Sequence, residues 1–138
     1  MTDFVLDTSI AASWAFPDEA GSRAEKSLVF LHEGAAAAAP CLWWFELHNT
    51  LLVGERRKRI SFSDANLFLS SLRALNIRIA QLPAPADEGR LFALARRHRL
   101  TFYDAAYLAL AMSEGVPLAT LDNALAAAAT SENIALIG

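Results

Sequence analysis

The chain has 138 residues, 54% of them hydrophobic, and a formal net charge of −3. That length suits one domain spanning residues 1–138, and the apolar content is enough to bury a core, which excludes a disordered chain. The opening MTDFVLD has an early acid and no basic segment, and the longest uncharged apolar run, residues 35–45, is too short for a bilayer and contains Pro40, so a soluble, cytoplasmic protein without signal peptide or membrane partner is expected.

Phe4-Val5-Leu6 is a short apolar run ending at Asp7 and reads as a buried strand. Thr8 or Ser9 is placed to cap a short helix over residues 10–16, which Pro17-Asp18 breaks. Residues 22–31 set Ala24, Leu28 and Leu31 opposite Arg23, Glu25 and Lys26, the pattern of an amphipathic helix. The alanine run 35–39 sits between Gly34 and Pro40 and is read as a second strand. The single Cys41 excludes an internal disulfide and is expected to be a buried thiol. A longer helix is expected over 42–57, its last cations suiting the negative end of the helix dipole.

Ser63 is the expected N-cap of a helix over 64–75, and Ile77-Arg78-Ile79 alternates as a strand does. Residues 86–98 place Leu91, Leu94 and Ala95 on one helical face, and 102–112 form a strongly apolar helix. A buried strand over 117–121 ends in an acid, an alanine helix follows over 123–129, and 134–137 is a last strand. Strands alternating with helices, without hairpin signals, linkers or repeats, imply an α/β sandwich with a mostly parallel sheet.

Four carboxylates interrupt this apolar pattern: Asp7 in FVLDTS, Glu46 in LWWFELHN, Asp104 in FYDAAYLAL and Asp122 in LATLDNAL. Acids among aliphatic and aromatic neighbours are costly to bury unless something compensates them. Each has a bland reading: Asp7 as a turn residue, Asp122 as a helix cap, Asp104 as a first-turn acid favoured by the dipole. Glu46 resists one, because Trp43, Trp44, Phe45, Leu47 and Leu51 leave little of its helix facing solvent. In open parallel sheets, sites form beyond the carboxyl ends of the strands where strand order reverses. All four acids can reach that one rim. An acidic pocket neutralised by divalent metal is the reading this favours, and attack on a phosphodiester is the chemistry it most often serves.

Hard oxygen donors select Mg²⁺ or Mn²⁺, and none of the three histidines, His32, His48 and His98, falls in an acidic motif, which disfavours zinc. Asp7 and Asp104 are expected to hold the main ion most directly, with Glu46 and Asp122 helping by contact or through water. Thr8 and Thr120 are candidates to orient ligands, with turn hydroxyls as the plain alternative. Asn49, one turn beyond Glu46, is placed to hydrogen-bond a ligand carboxylate. The basic runs Arg56, Arg57, Lys58, Arg59 and Arg96, Arg97, Arg99 are either solvated helix ends or phosphate contacts. Trp14, Trp43 and Trp44 suit base stacking, or a core or interface role.

The motifs resemble those of PIN-domain ribonucleases, and specifically the VapC type of toxin from type II toxin–antitoxin pairs. Asp7-Thr8-Ser9 after an opening strand resembles the first motif. Glu46 with Asn49 and Leu51 resembles the second, the run from Tyr103-Asp104 through Ala111 the third, and Thr120-Leu121-Asp122 with Leu125 the fourth. The resemblance implies a three-layer sandwich around a five-stranded sheet in which the strands ending at Asp7 and Asp122 are neighbours. It also implies those four acids as a Mg²⁺ or Mn²⁺ site, an RNA substrate, a homodimer, and inhibition by a VapB-like antitoxin that often places a basic side chain in the pocket. The chain departs from the pattern in its alanine-rich second strand and in Leu125, where many relatives carry an aromatic. Two other readings stand beside it: a non-catalytic PIN-like partner-binding domain, and a phospho-acceptor role for Asp7. The second is disfavoured because no lysine follows Lys58.

Overall fold

Phe4–Leu6 (β1) and Ala37–Ala39 (β2) are buried along their whole length, as strands covered on both faces must be, and their sequences are accordingly unbroken apolar runs. The computed structural model describes residues 1–16, 18 and 21–138; Pro17, the expected helix breaker, lies outside the described residues. In chain order the elements are β1, α1 (Thr8–Ala15), α2 (Ser22–His32), β2, α3 (Cys41–Arg56), α4 (Phe62–Arg73), β3 (Ile77–Ile79), a 3₁₀ turn (Pro85–Asp87), α5 (Glu88–His98), α6 (Phe102–Glu114), β4 (Leu118–Ala119) and α7 (Asn123–Ser131).

The sheet has strand order β3-β2-β1-β4, and every pair is parallel, with Val5 opposite both Ala38 and Leu118 and Ala38 opposite Arg78. Alanine is a poor strand former by propensity, but β2 runs between β1 and β3, where small side chains let helices approach both faces. The expected fifth strand over 134–137 is reduced to a single parallel bridge, Leu118 to Leu136. Leu118 donates to the Ala135 carbonyl at 2.9 Å and accepts from Ile137 at 3.0 Å. Its partner β4 is only two residues long, so there is no ladder to extend. Chain order reverses between β1 and β4, because β2 and β3 lie to one side of β1 and β4 to the other. That reversal fixes where a site can form.

Helices cover the sheet in two groups. α1 touches α2 and α3, and α3 touches α4; on the other side α6 touches α5, α7, β1 and β4. The core between them holds Phe4, Leu6, Ile10, Leu47, Leu108 and Leu125, all within 1% exposure. Gly54 is required where α3 meets Phe16: a Cβ there would stand 2.6 Å from the ring's Cζ. No helix among the described residues is long and apolar enough to cross a membrane.

Three local expectations change. The cap of α4 is Ser61, whose Oγ accepts from the Asp64 amide at 3.0 Å, not Ser63, so the helix starts two residues early. Neither Thr8 nor Ser9 caps α1: Asp7 is the N-cap residue, with no side-chain cap bond, because both hydroxyls are drawn to acids. Cys41 is half-buried rather than buried, since it opens α3 beside an apolar cavity lined also by Leu42, Leu82 and Phe102.

Candidate active site

Asp7 follows β1 directly, and its amide donates to the Ala119 carbonyl of β4 at 2.9 Å. This cross-strand bond sets the Asp7 side chain beside the Thr120-Leu121-Asp122 segment that leaves β4. Asp7 is only 6% exposed. Its Oδ2 accepts from Ser9 Oγ at 2.6 Å and from Thr120 Oγ1 at 2.7 Å. Those hydroxyls are themselves fixed: Ser9 Oγ accepts from the Leu121 amide at 2.9 Å, and Thr120 Oγ1 from the Asp122 amide at 3.0 Å. The loops after β1 and β4 are thereby laced together through one carboxylate oxygen.

Glu46 reaches the same rim from the second turn of α3. Its Oε1 accepts from Thr8 Oγ1 at 2.9 Å and from Tyr107 OH at 2.7 Å, and the two hydroxyl oxygens approach each other to 2.8 Å. Each hydroxyl carries one proton, so with both directed at Glu46 the Thr8–Tyr107 approach has no proton of its own. Burial, above all, pushes the Tyr107 hydroxyl well up from its usual range, so it remains a donor. The expectation that little of α3 faces solvent here needs correcting: Trp44 and Phe45 are 48% and 68% exposed. α3 lies on the surface, and only its Trp43, Leu47 and Leu51 stripe is buried.

Asp104 stands in the first turn of α6, whose N-cap Thr101 accepts from the Asp104 amide at 3.1 Å. Asp122 is exposed at the N-cap of α7 and accepts from the Leu125 amide at 2.9 Å through Oδ1. The capping role and the place on the rim therefore coincide in Asp122, and are not alternatives.

Electrostatics tie the four together. Burial, with the carboxylates of Asp122, Asp7 and Glu46 adding to it, raises the Asp104 carboxyl to about 6. Burial also raises Asp7, against the lowering effect of the Ser9 and Thr120 hydroxyls, and Glu46 adds to the rise. Negative charge is thus gathered on one rim. Among the described residues no three His, Cys, Asp or Glu side chains close into a ready-made metal cage. In donor chemistry, carboxylate and hydroxyl oxygens with surplus negative charge suit a hard divalent cation.

The remaining candidates divide. Thr8 and Thr120 each hold an acid, as described above. Asn49 is exposed, and no hydrogen bond joins it to a carboxylate among the described residues. Arg56, Arg57 and Lys58 are exposed. Arg97 donates to Glu132 Oε2 at 2.9 Å, Arg96 lies over the Phe92 ring, and Arg99 takes the left-handed C-cap of α5. Trp14 donates to the Ala24 carbonyl at 2.8 Å and Trp43 is buried, which leaves Trp44 as the exposed one of the three, its ring already packed against Phe45 and His48. Two residues of the site have no site role in the sequence reading, where Ser9 is only a cap candidate. Ser9 is two residues beyond Asp7, and Tyr107 is three beyond Asp104, so helical spacing puts its hydroxyl on the acid-bearing face.

The PIN domain family matches residues 4–131. The chain is 35% identical over 130 residues to Ribonuclease VapC3 of Pyrobaculum aerophilum, covering 88% of this chain and 91% of that one. The crystal structure of PAE2754 from Pyrobaculum aerophilum superposes with a TM-score of 0.71 at 23% identity, over 92% of this chain and 84% of that one. Mycobacterium tuberculosis VapC20, described as a toxin cleaving the sarcin–ricin loop, superposes with a TM-score of 0.62 at 17% identity, over 91% and 95%. The chain belongs to the PIN-domain family and is of the VapC type.

Proposed function

We propose that this chain, a single PIN domain over residues 1–138, is a Mg²⁺- or Mn²⁺-dependent endoribonuclease that acts in the cytoplasm as the toxin of a toxin–antitoxin pair. What carries the reading is the rim itself: Asp7 after β1, Asp122 after β4, Glu46 on α3 and Asp104 on α6 lie near enough that the other three carboxylates add to the effect of burial on the Asp104 carboxyl. Asp7 and Asp122 also make structural hydrogen bonds, but mutual repulsion among four acids costs a metal-free fold stability that a bound cation would restore. Kinship with Ribonuclease VapC3 supports the same conclusion.

In this reading Asp7 and Asp104 hold the ion, with Glu46 and Asp122 completing its surroundings. A bound divalent cation supplies neutralisation of phosphate charge and an acidified water for in-line attack. The chain's own residues prepare that chemistry. Ser9 and Thr120 fix the Asp7 carboxylate in one orientation, and Thr8 and Tyr107 do the same for Glu46. Such outer hydrogen bonds set both the direction and the affinity of metal ligands. Trp44 and Phe45, exposed beside Glu46, form an apolar edge suited to a protein partner. A VapB-like antitoxin and a second copy in a homodimer are the partners proposed.

The test is cleavage of total cellular RNA by purified, antitoxin-free protein in Mg²⁺ or Mn²⁺, beside EDTA and an Asp7→Asn variant. Discrete fragments that require both metal and Asp7 are expected. A folded protein that cuts nothing yet binds a protein partner would replace this reading with the non-catalytic one.

A further inference from the structure

A cavity of about 420 Å³ adjoins the acidic rim, walled by Thr8, Ser9, Ser13, Thr50, Leu121 and Arg59. Two of its walls serve the site already: Thr8 holds Glu46 and Ser9 holds Asp7. Among the described residues its one charged wall is Arg59. The other members of the basic run, Arg56, Arg57 and Lys58, do not line it.

The backbone explains why Arg59 alone of the run reaches this cavity. Past the end of α3, Lys58 adopts a left-handed φ of 60°, and the Arg59 amide returns to the Gly54 carbonyl at 2.8 Å. The Arg59 guanidinium then lies 4.4 Å from the centroid of the Phe16 ring. That ring is seated against Gly54, where no side chain would fit. Gly54, Phe16 and Arg59 form a stacked platform that holds the planar cation in place. Arg59 Nη2 donates to both carboxylate oxygens of Asp18, at 3.2 and 3.1 Å.

We propose that this cavity is a backbone-phosphate subsite for the RNA strand being cut, with Arg59 as its anchor and Asp18 as an internal competitor that a phosphate displaces. The inference rests on the ribonuclease reading above. A polyanion crossing an acidic rim needs a cation at the rim's edge to offset the repulsion. Guanidinium presents the same forked donors to a phosphate as to a carboxylate. The Arg59–Asp18 pair is open to solvent, with side chains 36% and 74% exposed, and pairs of that kind hold weakly enough to exchange. A phosphate contact positions the strand without reading bases, so Arg59 affects all sequences alike.

The experiment measures binding of a labelled single-stranded RNA to the whole protein across a salt series, with EDTA present so that nothing is cut, and in parallel KM and kcat in Mg²⁺. For Arg59→Gln, affinity at 0.1 M salt is expected to fall about fivefold and the log–log salt slope by about 0.7, the loss of one phosphate contact on a single strand. KM rises and kcat stays within about twofold. Arg59→Lys keeps the slope. Asp18→Asn tightens binding and leaves the Phe16 platform untouched, so a folding defect in Arg59→Gln cannot imitate the pattern. Inorganic phosphate at matched ionic strength is expected not to displace the RNA. Arg73→Gln, which removes the same charge from the end of α4, is expected to change nothing.

An unaltered slope and KM in folded Arg59→Gln would overturn the subsite while RNA cleavage by the wild type leaves the ribonuclease reading standing. So would an equal loss in Arg73→Gln, displacement by free phosphate, or an Arg59 effect confined to a protein partner. A wild type that neither binds nor cuts RNA would remove the ribonuclease reading, and the subsite with it.

Discussion

Asp7 and Asp104 are the two acids expected to hold the ion, and the fold treats them differently. Asp7 is buried and clamped through Oδ2 by two hydroxyls that backbone amides fix in turn. Asp104 is half-buried in the first turn of α6, where the Thr101 cap organises its backbone while its carboxyl faces three other acids. Both carboxyls are raised by burial, but hydroxyl donors oppose the rise strongly at Asp7, whereas neighbouring charge reinforces it at Asp104. Asp7 is already organised by the fold's own hydroxyls, whereas Asp104, in the proposed reading, awaits a cation to complete its surroundings.

The comparison predicts its own most damaging substitution. Asp7→Asn keeps the shape of the side chain and removes the charge, so RNA cleavage is expected to fall by about a thousandfold or more. The fold is expected to survive or gain stability, because a buried charge and its repulsion with Glu46 disappear together. Thermal unfolding in EDTA, run beside the cleavage assay, checks both halves. An Asp7→Asn protein that loses its fold rather than its activity alone would make Asp7 a structural residue.

Thr120→Val removes one clamp on Asp7 without changing volume much. Cleavage and Mn²⁺ affinity are each expected to fall by about 10- to 100-fold, the usual effect of losing a hydrogen bond behind a ligand. Stability is expected to drop by about 1–2 kcal/mol, because the buried Asp7 oxygen loses a donor. Isothermal titration with Mn²⁺ and a melting curve separate the two effects. Tyr107→Phe is the matching change on the Glu46 side, and a smaller one, because Thr8 continues to donate to the same oxygen. About tenfold in metal affinity is expected. If Tyr107→Phe proves costlier than Thr120→Val, Glu46 and not Asp7 is the better organised acid.

Much of this contrast was legible in the chain, and its limits have physical causes. The four acids and their rim followed from apolar runs that end in charge, a pattern carried by local sequence. Thr8 and Thr120 stand out in the sequence as candidates to orient ligands, but which groups they hold does not follow from it, because Thr8 to Tyr107 and Thr120 to Asp7 join residues about a hundred positions apart. Ser9 was open to a capping role that Asp7 takes from it, since a short contact with a buried carboxylate outweighs a helix amide that water can also satisfy. The alanine strand was placed correctly by Gly34 and Pro40 despite poor propensity. The last strand was overread because an Ile-Ala-Leu-Ile segment says nothing of the two-residue partner on which its ladder depends. Nothing in the sequence separates Arg59 from its three basic neighbours, because no spacing rule reveals the left-handed turn at Lys58 after which Arg59 alone of the run lines the cavity beside the rim.

The gentlest probe of the comparison is pH. An acid whose folded value is raised, from 3.8 to about 6 for Asp104, binds its proton more tightly in the folded chain than in the unfolded one. In metal-free protein the folded state therefore holds the extra proton between about pH 4 and 6, and stability falls as pH rises through that window, then levels off. Asp7 shifts in the same direction and adds to the slope. Cation binding requires the deprotonated form, so apparent Mn²⁺ affinity runs oppositely, rising by up to about tenfold per pH unit below 6 and flattening above it. Asp104→Asn should remove most of the low-pH slope in metal-free stability, while Thr120→Val, by taking a donor from Asp7, should steepen it. Urea unfolding in EDTA at a series of pH values from 4 to 8 measures both slopes. If the two variants moved them together, Asp7 and Asp104 would titrate as one coupled group, and the division between a clamped acid and an open one would have to be given up.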